Sequence, residues 1–224
     1  MIVHALVEGP SEKVFLESWA PRFLKGHQLK AYPHQGKGTL SGDPRRRGLL
    51  DQLEAKLTAF GQSLDSERER VLVLVDADDD NIDELKAQLD EVKSRLDPAP
   101  VVLFRLAVEE LEAFYLADLR AMKLAFPGFD RQRAQAYVPD SICGTWELFG
   151  AIVYDGGGNK VSWAQELGPR VTVRPEESRS PSFKALCSGL KELVVRTQRS
   201  KTRRKKPRRA KRAVQRDKTG KRQW

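Results

Sequence analysis

The chain has 224 residues, with 40 Lys and Arg against 31 Asp and Glu and a formal net charge of +9. That length suits one sizeable core, and no apolar run approaches the roughly 20 residues a membrane span needs. Two cysteines and three histidines do not supply a Cys/His zinc site of the usual spacing, and the N-terminus lacks an export signal, so a reduced, cytoplasmic protein is expected.

Ile2, Val3, Ala5, Leu6 and Val7 form a first apolar run that ends at Glu8. Phe15, Trp19 and Phe23 recur every four residues, which predicts a helix that Pro21 bends or interrupts. Leu29 to Pro33 reads as a second strand, and a Gly-rich turn at 35–39 precedes a helix carrying Leu49, Leu50, Leu53, Leu57 and Phe60. Val71 to Val75 is a third strand, running into Asp76, Asp78, Asp79 and Asp80. Ile82, Leu85, Leu89, Val92 and Leu96 predict a helix that Pro98 and Pro100 terminate, and Val101 to Phe104 a fourth strand.

This alternation predicts an α/β fold with a mainly parallel sheet flanked by helices. From Glu109 onward the pattern is helical. Pro and Gly between 127 and 158 favour short helices and loops, followed by a helix near Lys160 and another that begins at Ser180, Pro181 and Ser182. Three regions result: an α/β core at 1–126, a helical and loop extension packed on it at 127–195, and a basic tail at 196–224.

The tail holds 15 basic residues and one acid, leaving 25 basic and 30 acidic residues in the body. The body is therefore net negative, and the cationic character belongs to the end of the chain. Arg203, Arg204, Lys205, Lys206, Arg208, Arg209, Lys211 and Arg212 form closely spaced runs with little to bury, a composition expected to be disordered alone. Such a tail suits a polyanion held by counterion release, with strong salt dependence and little sequence choice.

Glu8 and Asp76 each stand where a buried strand ends, the place where open α/β sheets carry their chemistry. If the two strands are neighbours their carboxylates converge, and Asp78 lies on the same side as Asp76 of an extended segment. Hard oxygen donors in that number favour Mg²⁺ or Mn²⁺. Asp79 and Asp80 serve equally well as caps of the following helix. Lys37, in Gly-Lys-Gly-Thr, reads either as a phosphate contact or as a turn lysine. It is no Walker loop, because Ala31 and Gly38 stand where that pattern needs Gly and Ser/Thr.

Glu-Gly after the first strand and Asp-x-Asp after a later one resemble the TOPRIM signature of topoisomerases, bacterial primases, recombination mediators and OLD-type nucleases. Val-Glu-Gly-Pro-Ser-Glu at 7–12, His-Gln-Gly-Lys-Gly at 34–38, Val-Asp-Ala-Asp-Asp-Asp at 75–80 and Glu-Leu-Glu-Ala-Phe-Tyr-Leu-Ala-Asp at 110–118 more closely resemble the domain-of-unknown-function 4276 family, a TOPRIM-like group. Ser-Pro-Ser-Phe at 180–183 adds to the likeness, which stops before the tail.

The resemblance implies a TOPRIM-like, Rossmann-like core. It makes Glu8 a metal-associated carboxylate or general acid/base, Asp76 and Asp78 the Mg²⁺ (or Mn²⁺) ligands, and Glu112 a further carboxylate at the site. Phe114 stands where the group more often has Trp. Lys160 matches a lysine associated with the family; it is read as a charge-stabilising group or a solvated helix residue. Glu109 and Glu110 are read as solvated.

The function expected is a Mg²⁺-dependent nuclease that hydrolyses DNA or RNA phosphodiesters. The resemblance adds an OLD-like or ABC-type ATPase partner in a phage-defence setting. The alternative is a non-catalytic nucleic-acid-binding or adaptor protein on the same scaffold. A phosphoryl-transfer site with an aspartate nucleophile fits less well, because Glu8 follows the first strand. No nucleotide or organic cofactor site is expected.

Overall fold

The computed structural model describes residues 1–203 apart from 41, 42, 44, 142, 143 and 155–158, and for 196–203 the helical backbone alone. Four parallel strands, β1 (Ile2–Val7), β2 (Gln28–Pro33), β3 (Glu69–Asp76) and β4 (Val102–Ala107), form one sheet in the order β2-β1-β3-β4. Helices α1 (Pro10–Phe23), α2 (Leu49–Ser63) and α3 (Ile82–Ser94) make the crossovers between successive strands. The fold is thus α/β and Rossmann-like, as the alternation of periods predicts.

The central strands β1 and β3 explain the two-layer packing. Val3, Ala5, Val7, Leu72 and Leu74 point to one face, and Leu6, Val71, Val73 and Val75 to the other. Side chains alternate along a strand, so a continuous Val/Leu run must be covered on both sides. Helix α1 covers the first face and α2 and α3 the second. The chain leaves β1 toward β2 on one face and returns past it to β3 on the other, so the path reverses between β1 and β3.

The first face carries the rest of the chain. Helices α4 (Glu112–Leu116), α5 (Leu119–Ala125), α6 (Arg131–Ala136), α7 (Thr145–Val153), α8 (Lys160–Leu167) and α9 (Pro181–Arg203) follow β4. Phe114, Tyr115, Phe149, Trp163 and Phe183 join Phe15 and Trp19 in one apolar cluster. The Phe149 and Trp163 ring centroids lie 4.5 Å apart. Ser180 caps α9, its hydroxyl accepting from the Phe183 N–H at 3.0 Å.

Two elements differ from the sequence expectation. Strand β4 continues through Arg105 to Ala107, because Leu106 and Ala107 are buried and Ala107 pairs with Asp76. Arg105 interrupts the apolar pattern without ending the strand; its Nε donates to the Ala185 carbonyl on α9 at 2.9 Å. Pro21 neither splits nor shortens α1 appreciably, since it falls in the last turn and the helix closes at Phe23. Among the described residues no helix is long and apolar enough to cross a membrane.

Gly61, in α2, faces the segment that leads into β4, and a Cβ there would overlap the backbone carbonyl of Pro98. Ala is the better helix former by about 1 kcal/mol, yet forcing atoms into a packed contact costs about 1–3 kcal/mol. Gly61→Ala is therefore expected to lower the urea midpoint of unfolding; a higher midpoint would show that this contact yields.

Candidate functional site

The site begins with a hydrogen bond across the reversal point. In β3 the N–H groups of Leu72, Leu74 and Asp76 point toward β1, by alternation with Val71 and Ala77, which donate toward β4. Strand β1 ends at Val7, so the Asp76 N–H has no backbone acceptor there. The Glu8 carboxylate supplies one at 2.8 Å. Glu8 and Asp76 are thereby locked together, as the expectation of neighbouring strands requires.

Asp76 projects to the same face as Leu72 and Leu74, beneath α1 and α4. Both helices present a carboxylate from their first turn: Glu12 from α1 and Glu112 from α4. Glu12 lies on the stripe of Phe15, Leu16 and Trp19 and is buried with them. It is not the solvated capping residue that its place at a helix start suggests. Ser11 donates to it at 2.8 Å. Tyr115, one position past the next turn of α4, is completely buried beside these acids.

These groups are short of partners. Asp76 Oδ1, both Glu112 carboxylate oxygens and the Tyr115 hydroxyl are buried without a hydrogen bond among the described residues. Burial raises Asp76 well above the ordinary aspartate range, and Glu8, Glu12, Glu112 and Asp78 add like-charge repulsion. Burial likewise pushes Glu8 up to about 8, with the Asp76 N–H opposing it and Asp78 and Glu12 reinforcing it. Glu112 rises to about 7 through burial, with Lys160 opposing.

Asp78 behaves differently. Its φ of 48° turns the chain out of the extended conformation directly after β3, so strand alternation no longer aligns it with Asp76. Aspartate tolerates this left-handed region better than most residues. Lys37 Nζ meets Asp78 at 3.1 Å, Asp80 at 2.6 Å and the Ala77 carbonyl at 3.0 Å. The Gly-rich turn is held for this contact: the Gly36 N–H donates to the Glu8 carbonyl at 2.9 Å, and the Leu50 N–H to the Lys37 carbonyl at 2.8 Å. Gly38, at φ +70°, packs against Gly48 and the Asp51 side chain, where a Cβ would not fit. The cap of α3 is Asn81, whose side chain accepts from Asp83 and Glu84, and not Asp79 or Asp80.

On the other flank, Lys160 opens α8 and donates to Glu110 at 3.1 Å, with Glu112 at 3.9 Å. Burial pulls its pKa down, but Glu112 and Glu110 outweigh this and hold it above the ordinary lysine value. Glu109 and Glu110 are buried and not the solvated pair of the sequence reading. Glu109 accepts from Tyr137 and Thr145, and Glu110 from the Trp146 N–H at 2.7 Å, so both fasten the start of α7.

The structure brings together Glu8, Asp76 and Glu112, adds Glu12 and Tyr115, and sets Lys37 and Lys160 at the two sides. Arg203 keeps only its helical backbone here, and Arg204, Lys205, Lys206, Arg208, Arg209, Lys211 and Arg212 lie outside the described residues. Hard oxygen donors with orphaned, buried lone pairs fit a Mg²⁺-like cation in chemistry. Among the described residues, no three His, Cys, Asp or Glu side chains already stand in an ion-holding group. Histidines do not compete: His4 bonds Tyr32 and Glu69, and His34 the Val7 carbonyl.

A family model described as "Domain of unknown function (DUF4276)" matches residues 7–191, from the end of β1 into α9. No curated protein and no solved structure matches the chain.

The raised carboxyls set a pH dependence. Glu8 and Glu112 hold protons in the folded chain that the unfolded chain, with values near 4.5, has already released. Their stabilisation is complete below pH 4.5 and is lost as pH rises through about 7 and 8. With EDTA present, the urea midpoint is expected to fall from pH 5 to pH 8 and then level, and Glu112→Gln to flatten the fall. An identical slope in the variant would contradict the assignment.

Proposed function

We propose that this chain, which belongs to the DUF4276 family over residues 7–191, is a divalent-cation-dependent hydrolase of nucleic-acid phosphodiesters, of the TOPRIM-like kind related to OLD nucleases. The observation that carries the reading is the set of buried carboxylates at the reversal of the sheet, with Asp76 Oδ1 and both Glu112 oxygens unpartnered. Burial of that many acids is unfavourable unless protons or a cation neutralise them.

Asp76, Glu8 and Glu112 are the residues that would hold Mg²⁺ or Mn²⁺, with Glu12 beside them. The bound ion would polarise a phosphate oxygen and lower the pKa of water. The chain's own groups supply the rest. Glu8, near 8 in the free protein, exchanges its proton close to neutral pH, as a general acid/base must. Lys160, partly exposed beside Glu110 and Glu112, places a positive charge where a phosphate can approach.

The tail at 204–224 is the proposed grip on DNA or RNA, on the strength of its sequence alone. An OLD-like or ABC-type ATPase is the proposed partner in a cytoplasmic defence system, since the Gly-rich turn that might have cradled phosphates is occupied by Asp51 and Gly48.

Purified wild type should cleave DNA or RNA with Mn²⁺ or Mg²⁺, and Glu8→Ala and Asp76→Ala should each lose at least about 100-fold in rate, the usual scale of acid–base or metal-ligand loss. Cleavage unchanged in both variants overturns the site. Nucleic-acid binding without cleavage under every metal condition would instead make the chain an adaptor. Deleting 204–224 should weaken binding across sequences and reduce the slope of log K against log salt; an unchanged slope removes the tail from the interface.

A further inference from the structure

Lys37 stands where a second cation would. Its Nζ contacts two carboxylate oxygens, from Asp78 and Asp80, and one backbone carbonyl, from Ala77, at 2.6–3.1 Å. An ammonium has three N–H donors and no acceptor, and three acceptors meet this one. No donor is left over for a phosphate. The side chain is 15 % exposed, while the Asp78 and Asp80 side chains are 40 % and 48 % exposed, so the lysine approaches from the protein side and the aspartates face water.

The donor set around Nζ is that of a hard divalent ion: carboxylates, a main-chain carbonyl and room for water. It lies beside the Glu8–Asp76 pair, because the Ala77 that offers its carbonyl is the residue between Asp76 and Asp78. Two oxygen clusters therefore meet at one corner of the fold. The Glu8, Glu12, Asp76 and Glu112 cluster has unpartnered oxygens. The Asp78, Asp80 and Ala77 cluster has a cation supplied by the chain.

We propose that Lys37 is a resident cation that closes a second divalent-ion position formed by Asp78, Asp80 and the Ala77 carbonyl, and so limits the site to one exchangeable ion. Its position is enforced rather than adventitious. The Gly36 N–H bond to Glu8 and the Leu50 N–H bond to Lys37 fix the turn from which the side chain extends. Lysine supplies its charge without needing a free ion, and it makes Asp78 a partner of the protein instead of a ligand. For the count of ions in the wild type, this inference rests on the proposed function; for the second position it does not.

The test is Mn²⁺ binding to the full chain, followed by calorimetry and by the electron paramagnetic resonance signal of free Mn²⁺. Wild type and Lys37→Arg should bind one ion, Lys37→Gln two, and Lys37→Gln combined with Asp80→Asn one again. Equal stoichiometry in wild type and Lys37→Gln overturns the proposal while leaving the Glu8 and Asp76 site standing. If wild type binds none but Lys37→Gln binds one ion that Asp80→Asn abolishes, the proposed metal function fails and the resident-cation role holds. Should Lys37→Gln unfold easily, Mn²⁺ is expected to restore its melting temperature, and not that of the double variant; no restoration refutes the proposal.

Discussion

The hydrogen bond from the Asp76 N–H to the Glu8 carboxylate, 2.8 Å long, is the constraint on which the rest of the site depends. It forms where β1 has ended and β3 has not, so a side chain takes over from the ladder. That substitution fixes Glu8 above the carboxyl edge of the sheet and turns Asp76 toward α1 and α4. A neutral side chain would satisfy the N–H as well as an acid does. The use of a carboxylate beside another carboxylate is therefore a choice against stability, of the sort that marks functional positions.

Two lysines show how the fold distributes this charge. Lys37 neutralises Asp78 and Asp80 on one side, and Lys160 neutralises Glu110 and approaches Glu112 on the other. Between them Glu8, Glu12 and Asp76 have no ion-pair partner among the described residues. The Tyr115 hydroxyl, also unpartnered, lies among the same acids. Protons can relieve the repulsion at the pKa values of these groups, but each proton so held keeps a carboxyl from acting as a ligand or base. A cation relieves it while leaving the oxygens ionised.

Much of the frame was legible because apolar period reports burial directly. The unbroken runs ending at Glu8 and Asp76 gave away strands covered on both faces, and Ile82 to Leu96 a helix. Arg105 hid half of β4, since the period carries no record of a side chain that leaves the sheet edge to bond α9. Glu12 was visible in principle: it falls on the stripe of Phe15 and Trp19, and an acid on an apolar stripe is buried with it. Glu109 and Glu110 were not, because their partners at Tyr137, Thr145 and Lys160 are 28 to 50 residues away. The left-handed turn at Asp78 was also beyond reach, as an Asp-x-Asp spacing reads equally as extended or turned.

The separation of charge along the chain bears on the order of events at such a site. A phosphodiester approaching Glu8, Glu12, Asp76 and Glu112 meets only repulsion if they are ionised, and screening over the roughly 10 Å Debye length at 0.1 M salt offers little help at contact distance. Lys160 is a single, already paired charge. The basic tail attracts the polymer from afar but supplies no cation within the buried cluster that the folded body forms. On the proposed reading, the ion must therefore precede the substrate at the carboxylates, and the tail governs how often substrate arrives rather than whether it is cut. That division follows from burial: charges inside the fold set the chemistry, and charges outside it set the encounter.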